Sequence, residues 1–226
     1  GQYFNMKEIT RLGHAKGCKV GFDCAHGAGN LPLNLHDSGC DFAVWCNYKY
    51  LNAGPGGMGG AFIHERHLMN KEIPRFEGWW GHNKKTRFQM RDDFDPIPTA
   101  EAWQVSNPPI LAMVSAWSAL QLFDEVGMEK LREKAIALTV YLEYLINSLD
   151  DTQIRIITPS DPDKRGSQLS IHVRGTDKGL FEKITEAGVI ADWREPDVIR
   201  VAPVPMYNSF EDVFKFYMTL KQALQN

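Results

Sequence analysis

A chain of 226 residues that is 43% hydrophobic carries enough apolar material for a real core, arranged as one large domain or two small ones. Its formal charge of -3, with basic and acidic residues intermixed, offers neither a basic stripe for nucleic acid nor a like-charge tail, and points to small-molecule chemistry. No apolar run reaches the roughly 18 to 20 residues of a membrane span and no secretion signal opens the sequence, so the expected location is cytoplasmic.

Asn5, with Glu8 three residues on, forms a capping box. Met6, Ile9, Leu12 and Ala15 follow at helical spacing, and Gly17 suits the helix stop. Lys19 to Asp23 and Phe42 to Cys46 are short apolar runs without polar alternation, which suit strands buried on both faces of a parallel sheet. A third strand, Gly60 to His64, follows the glycine-rich stretch from Gly54, and 65–106 reads as mostly loop. Irregular stretches of that length are usually functional, and this one carries Trp79, Trp80 and Trp103. From Pro108 the pattern turns helical, with Ile110, Val114, Trp117 and Leu120 on one packing stripe and Leu131, Leu138, Leu142, Leu145 and Leu149 on another. Beyond residue 150, strands at Ile154 to Ile157, Gln168 to Val173, Val189 to Ala191 and Ile199 to Ala202 are expected. With a helix near Asp177 to Ala187 and a last helix from Phe210, they form a compact α+β unit. The domain boundary is placed near residue 108, giving 1–107 and 108–226. Cys18, Cys24, Cys40 and Cys46 form no C-x-x-C pair and read as reduced core thiols, not as a zinc or redox motif.

Chemistry concentrates after the first two strands. Lys49 alone would be a solvated strand-end lysine. It follows a buried strand and precedes the turn Tyr50 to Gly57, where desolvation favours a neutral amine able to form a Schiff base. Asp23 alone would be a turn carboxylate, yet it ends the preceding strand, and parallel strand ends on one edge converge on one crevice. An amine and an acid so placed are what pyridoxal phosphate (PLP) requires, because the acid keeps the pyridine nitrogen protonated while the ring accepts electrons. Adjacent strand residues point to opposite faces, so Tyr48 and Lys49 serve one site only if the backbone is irregular from Tyr48 to Leu51. Arg200, within an apolar run, offers a planar fork for a carboxylate. Trp79 could reach a phosphate through its indole N–H, although packing is the commoner role. Ser106-Asn107-Pro108-Pro109 reads as a helix N-terminus, which also favours an anion.

The strings GFDCAHGAGNLPL, DFAVWCNYKYLNAGPGG, EGWWGH, SNPPI and IRVAPVPMYNSFEDV closely resemble those of kynureninases, in the same order along nearly the whole chain. The resemblance implies an α/β fold of the aspartate aminotransferase type (fold type I). Residues here would form part of the PLP-binding large domain, with its parallel-type sheet, followed by a small α+β C-terminal domain, in a homodimer whose active site is built between two subunits. It implies that Lys49 is the Schiff-base lysine and Asp23 the partner of the pyridine nitrogen. His26 would lie beside the cofactor, and Tyr48 would bond its phosphate and move protons. Trp79 and Asn107 would touch the phosphate or the substrate ring, and Arg200, with Ser106 and Asn107, would bind the substrate. The implied reaction is PLP-dependent hydrolysis of kynurenine or 3-hydroxykynurenine in tryptophan catabolism and NAD biosynthesis. The matching strings fall in the C-terminal half of kynureninases, so the N-terminal half is an expected partner and the chain alone is expected to be inactive. Two other readings stand beside this one: a non-catalytic fragment or dimerisation piece, and another fold-type I enzyme such as a cysteine desulfurase.

Overall fold

The computed structural model describes residues 1–149, 152–175 and 178–225. The chain divides into two compact units, Asn5–Glu125 and a second formed by Gly1–Phe4 with Val126–Asn226. No described helix is long and apolar enough to cross a membrane.

The first unit opens with α1 (Met6–Ala15). Asn5 is extended and its Oδ1 accepts the Glu8 N–H at 3.0 Å, the N-cap expected from the sequence. The Glu8 carboxylate turns to Arg11 instead, so only half of the capping box forms. Gly17 takes φ +74° just past the helix. Strand β1 (Gly21–Asp23) pairs in parallel with β2 (Phe42–Cys46), Gly21 opposite Phe42 and Asp23 opposite Val44, after the short α2 (Leu35–Ser38). The third strand, β3 (Gly59–Ile63), runs antiparallel to β2, which makes the sheet mixed and not wholly parallel. Burial also departs from the expectation of two covered faces. Ala43 is fully buried, whereas Phe42 and Val44 are 42% and 45% exposed. The run is continuous in hydrophobicity, yet the described residues cover only one face of it.

Residues 65–106 are mostly irregular, with two short 3-10 turns at Glu65–His67 and Ala100–Trp103. The stretch is held by its own backbone, Asn83 N–H to the Asp95 carbonyl and Ile97 N–H to the Gly81 carbonyl, and by close approach of Gly78 to Val105, where a Cβ would lie 2.1 Å from the carbonyl oxygen. Helix α3 (Ile110–Val126) follows. The stripe Ile110, Val114, Trp117, Leu120 faces outward, and Ala116, Ala119 and Phe123 pack inward instead. A helix apolar on most sides gives its sequence no unique inner face, so the small residues that permit close approach mark the packed side.

In the second unit, α4 (Met128–Asn147), α5 (Gly179–Glu186) and α6 (Phe210–Gln225) pack on an antiparallel sheet. Its strands are β4 (Ile154–Ile156), β5 (Leu169–Val173), β6 (Asp192–Arg194) and β7 (Val198–Val201), in the order β4-β5-β7-β6. The core joins Leu138, Leu142 and Leu145 of α4 to Leu169, Ile171 and Val173 of β5, Ile199 of β7, and Phe216 and Leu220 of α6. Each such side chain contributes about 1.5–3 kcal/mol on burial. The strand expected at Val189–Ala191 forms three residues later. Gly188, at φ +92°, and Val189 use their N–H groups to close the end of α5 on the carbonyls of Thr185 and Ile184, so the segment ends a helix before it can start a strand. Asp177, where the sequence opens that helix, lies outside the described residues. No disulfide links the cysteines; Cys24 and Cys40 are buried and Cys46 partly so, while Cys18 is exposed, contrary to its reading as a core thiol.

Candidate functional site

Parallel pairing puts the carboxyl ends of β1 and β2 at the same sheet edge. Asp23 is the last residue of β1, and Lys49 lies in the turn that leaves β2. The Asp23 Oδ1 accepts the Ala25 N–H at 2.8 Å, which orients the carboxylate and leaves its other oxygen without a partner among the described residues. The chain from Asn47 to Leu51 is a succession of turns, as the joint use of Tyr48 and Lys49 requires. Asn52 N–H closes on the Lys49 carbonyl at 3.0 Å and Ala53 N–H on the Asn47 carbonyl at 2.9 Å.

These two strand-end loops are interlocked. Gly29, at φ +78°, approaches the Tyr50–Leu51 peptide so closely that a Cβ would stand 2.8 Å from the Tyr50 carbonyl, so the position requires glycine twice over. The His26 ring meets Tyr50 edge to face at 6.0 Å between centroids. The Cys46 thiol points to the Ala25 carbonyl, 4.0 Å away, and the nearby Cys46 side chain raises the Tyr48 phenol above its ordinary pKa. Lys49 is partly buried and pairs with no carboxylate among the described residues; its Nζ stands 6.0 Å from the centre of the Tyr48 ring.

Asp23, His26, Tyr48 and Lys49 are thus brought to one sheet edge. The donor set suits pyridoxal phosphate: an amine with no acidic partner is free to condense with an aldehyde, and a carboxylate with a free oxygen can meet a protonated ring nitrogen. Gly29 and Cys46 are the members that sequence reasoning missed. Cys46 was findable, since it ends the strand two residues before Tyr48; the contact of Gly29 depends on a fold between distant residues.

Elsewhere in this unit, Trp79 meets Trp80 edge to face at 5.4 Å, and the Arg87 guanidinium lies 5.3 Å and 5.2 Å from the two ring centres. Arg87 is fixed there by the carbonyls of Trp80 and His82. Ser106 and Asn107 are exposed, and α3 begins only at Ile110, so Asn107 stands outside the cap position that the sequence suggests. No hydrogen bond or ring contact ties Trp79, Ser106 or Asn107 to the Lys49 turn among the described residues. In the second unit, Arg200 lies on β7 with its side chain 22% exposed and its Nη2 bonded to the Asp192 carboxylate.

Residues 131–220 match the family model for the kynureninase C-terminal domain. The kynureninase of Myxococcus xanthus is 57% identical over 221 residues, covering 98% of this chain and 52% of that protein. The kynureninase of Koribacter versatilis is 52% identical over 216 residues, 96% of this chain and 51% of that protein. The chain therefore spans about half the length of the curated relatives it matches. A cysteine desulfurase from Thermococcus onnurineus superposes with a TM-score of 0.79 at 16% identity, over 97% of this chain and 56% of that one. The cysteine desulfurase CsdA of Escherichia coli gives 0.78 at 17%, over 97% and 55%. These two likenesses are of fold alone: the chain shares the architecture of about half of each of these two proteins.

Proposed function

We propose that this chain, similar over nearly its whole length to the C-terminal part of kynureninases, supplies the lysine-bearing half of a PLP-dependent hydrolase. The enzyme cleaves the Cβ–Cγ bond of L-kynurenine or 3-hydroxy-L-kynurenine, with addition of water, to anthranilate or 3-hydroxyanthranilate and L-alanine. The observation that carries the reading is the placement of Asp23 at the end of β1 and of Lys49 in the turn that leaves the adjacent parallel strand β2, with the two loops packed together.

When bound, PLP supplies an electron sink for charge developing at the substrate α-carbon. Lys49 would hold the cofactor through Nζ and would carry the substrate α-proton on that atom. The Asp23 carboxylate would hold the proton on the ring nitrogen, and His26 would lie beside the cofactor. The Tyr48 hydroxyl would bond the cofactor phosphate and could pass protons at its oxygen. Trp79, Ser106 and Asn107 contact the phosphate or the substrate ring, and Arg200 grips the α-carboxylate, which sets the α-bond that breaks. The working form is a cytoplasmic homodimer in tryptophan catabolism leading to NAD, and the chain alone, half the length of its relatives, is inactive.

Lys49→Ala in the full-length enzyme is expected to abolish anthranilate release while the thermal midpoint stays within a few degrees of wild type. Normal turnover by that variant, or a full-length enzyme that releases alanine from cysteine but no anthranilate from kynurenine, overturns the reading. Anthranilate release by the isolated chain would overturn its inactivity.

A further inference from the structure

The sheet of the second unit has a face turned away from its helices. Leu169, Ile171 and Ile199 enter the core, and alternation along the strands therefore turns Ser170 and Arg200 to the other side. Register places Arg200 directly opposite Ser170 on β5 and directly opposite Asp192 on β6, so the three form one row across three strands. The Arg200 Nη2 donates to Asp192 Oδ2, while Nε is buried with no hydrogen bond among the described residues. Arg194, two residues along β6 and on the same face, brings its Nη2 to 3.1 Å from that same Asp192 oxygen. One carboxylate thus bridges two guanidinium groups, and the trio keeps a net positive charge.

We propose that Asp192 is the positioning residue of Arg200: by pinning Nη2 from the facing strand it fixes the plane of the fork, so that the remaining N–H groups are already set for the carboxylate of an α-amino acid. The proposal rests on the reading that Arg200 binds the substrate α-carboxylate. A free arginine side chain would lose rotamer freedom each time a ligand bound; one already held by a cross-strand partner loses less. A lone Asp192 would also cancel the charge of Arg200 and repel an anion. Arg194 offsets this by drawing on the same oxygen, so an incoming carboxylate still meets a positive site. Sequence reading had no access to the trio, because it placed the strand before Asp192 and not on it.

The test compares Asp192→Asn, Asp192→Glu, Arg194→Ala and Arg200→Lys in the full-length holoenzyme, with kynurenine as substrate and kynuramine, the same amine without the α-carboxylate, as competitive ligand. Asp192→Asn is expected to raise KM for kynurenine about 10-fold or more with kcat changed less than about 3-fold, the pattern of lost carboxylate binding. Asp192→Glu is expected to recover part of the loss, and the inhibition constant of kynuramine is expected to stay put in both. An unchanged or lowered KM in Asp192→Asn, or equal weakening of kynurenine and kynuramine, overturns the proposal, the latter by showing a merely structural role. If Asp192→Asn does not fold, Asp192→Glu and Arg194→Ala carry the same comparison, with smaller KM increases expected and the same two results overturning it. An unchanged KM in Arg200→Lys instead removes the assignment of Arg200 itself.

Discussion

Asp41 stands just before β2, is only 3% exposed, and gathers groups from three places in the first unit. Val20 N–H reaches its carboxylate at 2.7 Å, His14 Nε2 at 2.8 Å and His67 Nε2 at 2.6 Å. Burial by itself would raise its pKa, but the Val20 N–H and the two imidazoles together outweigh burial and hold the carboxyl well below the ordinary range. A folded-state pKa below the unfolded value contributes stability above the unfolded value of about 4 and loses it as pH falls further. Asp41→Asn is therefore expected to cost on the order of 2–3 kcal/mol at pH 7, with the gap to wild type closing below about pH 4; denaturant unfolding at pH 7 and pH 3 measures both. An equal cost at the two pH values would show that charge plays no part. Neither Asp41 nor Asp192 was legible in the sequence as a hub, since the partners of one lie 21 to 27 residues away and those of the other are fixed by strand register. The placement of Lys49 and Asp23 at one sheet edge was legible because it depends on a local fact, the end of a strand.

Elements whose period matched one environment were readable, and those exposed to two were not. The leucines of α4 face one core and fall where their spacing puts them. Helix α3 is apolar on most of its surface, so the spacing of its large residues pointed to a stripe that the fold leaves outward. The strand-end loops show the converse, a fit that spacing never records. Gly29 presses on the Tyr50–Leu51 peptide at positive φ, and a methyl group there must push the loop after β1 away from the Lys49 turn. Gly29→Ala is expected to lower stability by more than about 1 kcal/mol and to weaken cofactor binding by the full-length enzyme at least about 10-fold. Thermal melting and a titration with PLP read the two losses separately. Unaltered PLP affinity alongside the stability loss would show that the loop contact shapes the fold but not the pocket.

Across the molecule, exposed apolar side chains occur in both units and are densest along α3. Leu111 and Trp117 of α3 are 88% and 62% exposed, and Phe42 and Val44 add an uncovered sheet face in the same unit. Single exposed apolar residues need no explanation, but contiguous ones on a helix mark a surface that something else covers. The curated relatives are about twice as long as this chain, and we propose that the remainder of such a protein covers this surface. The same substitution should then have two outcomes. In the isolated chain, Leu111→Lys with Trp117→Lys is expected to shift unfolding free energy by no more than about 0.5 kcal/mol each and to reduce binding of a hydrophobic dye, because exposed positions contribute little to stability. In the full-length enzyme the pair is expected to cost more than about 3 kcal/mol or to dissociate the assembly, because lysines would be buried without partners. Denaturant unfolding of both proteins, with light scattering for the oligomeric state, compares them directly. A small effect in both would mean that the outer face of α3 stays in water in the whole enzyme, and that the apolar residues there serve some purpose other than packing.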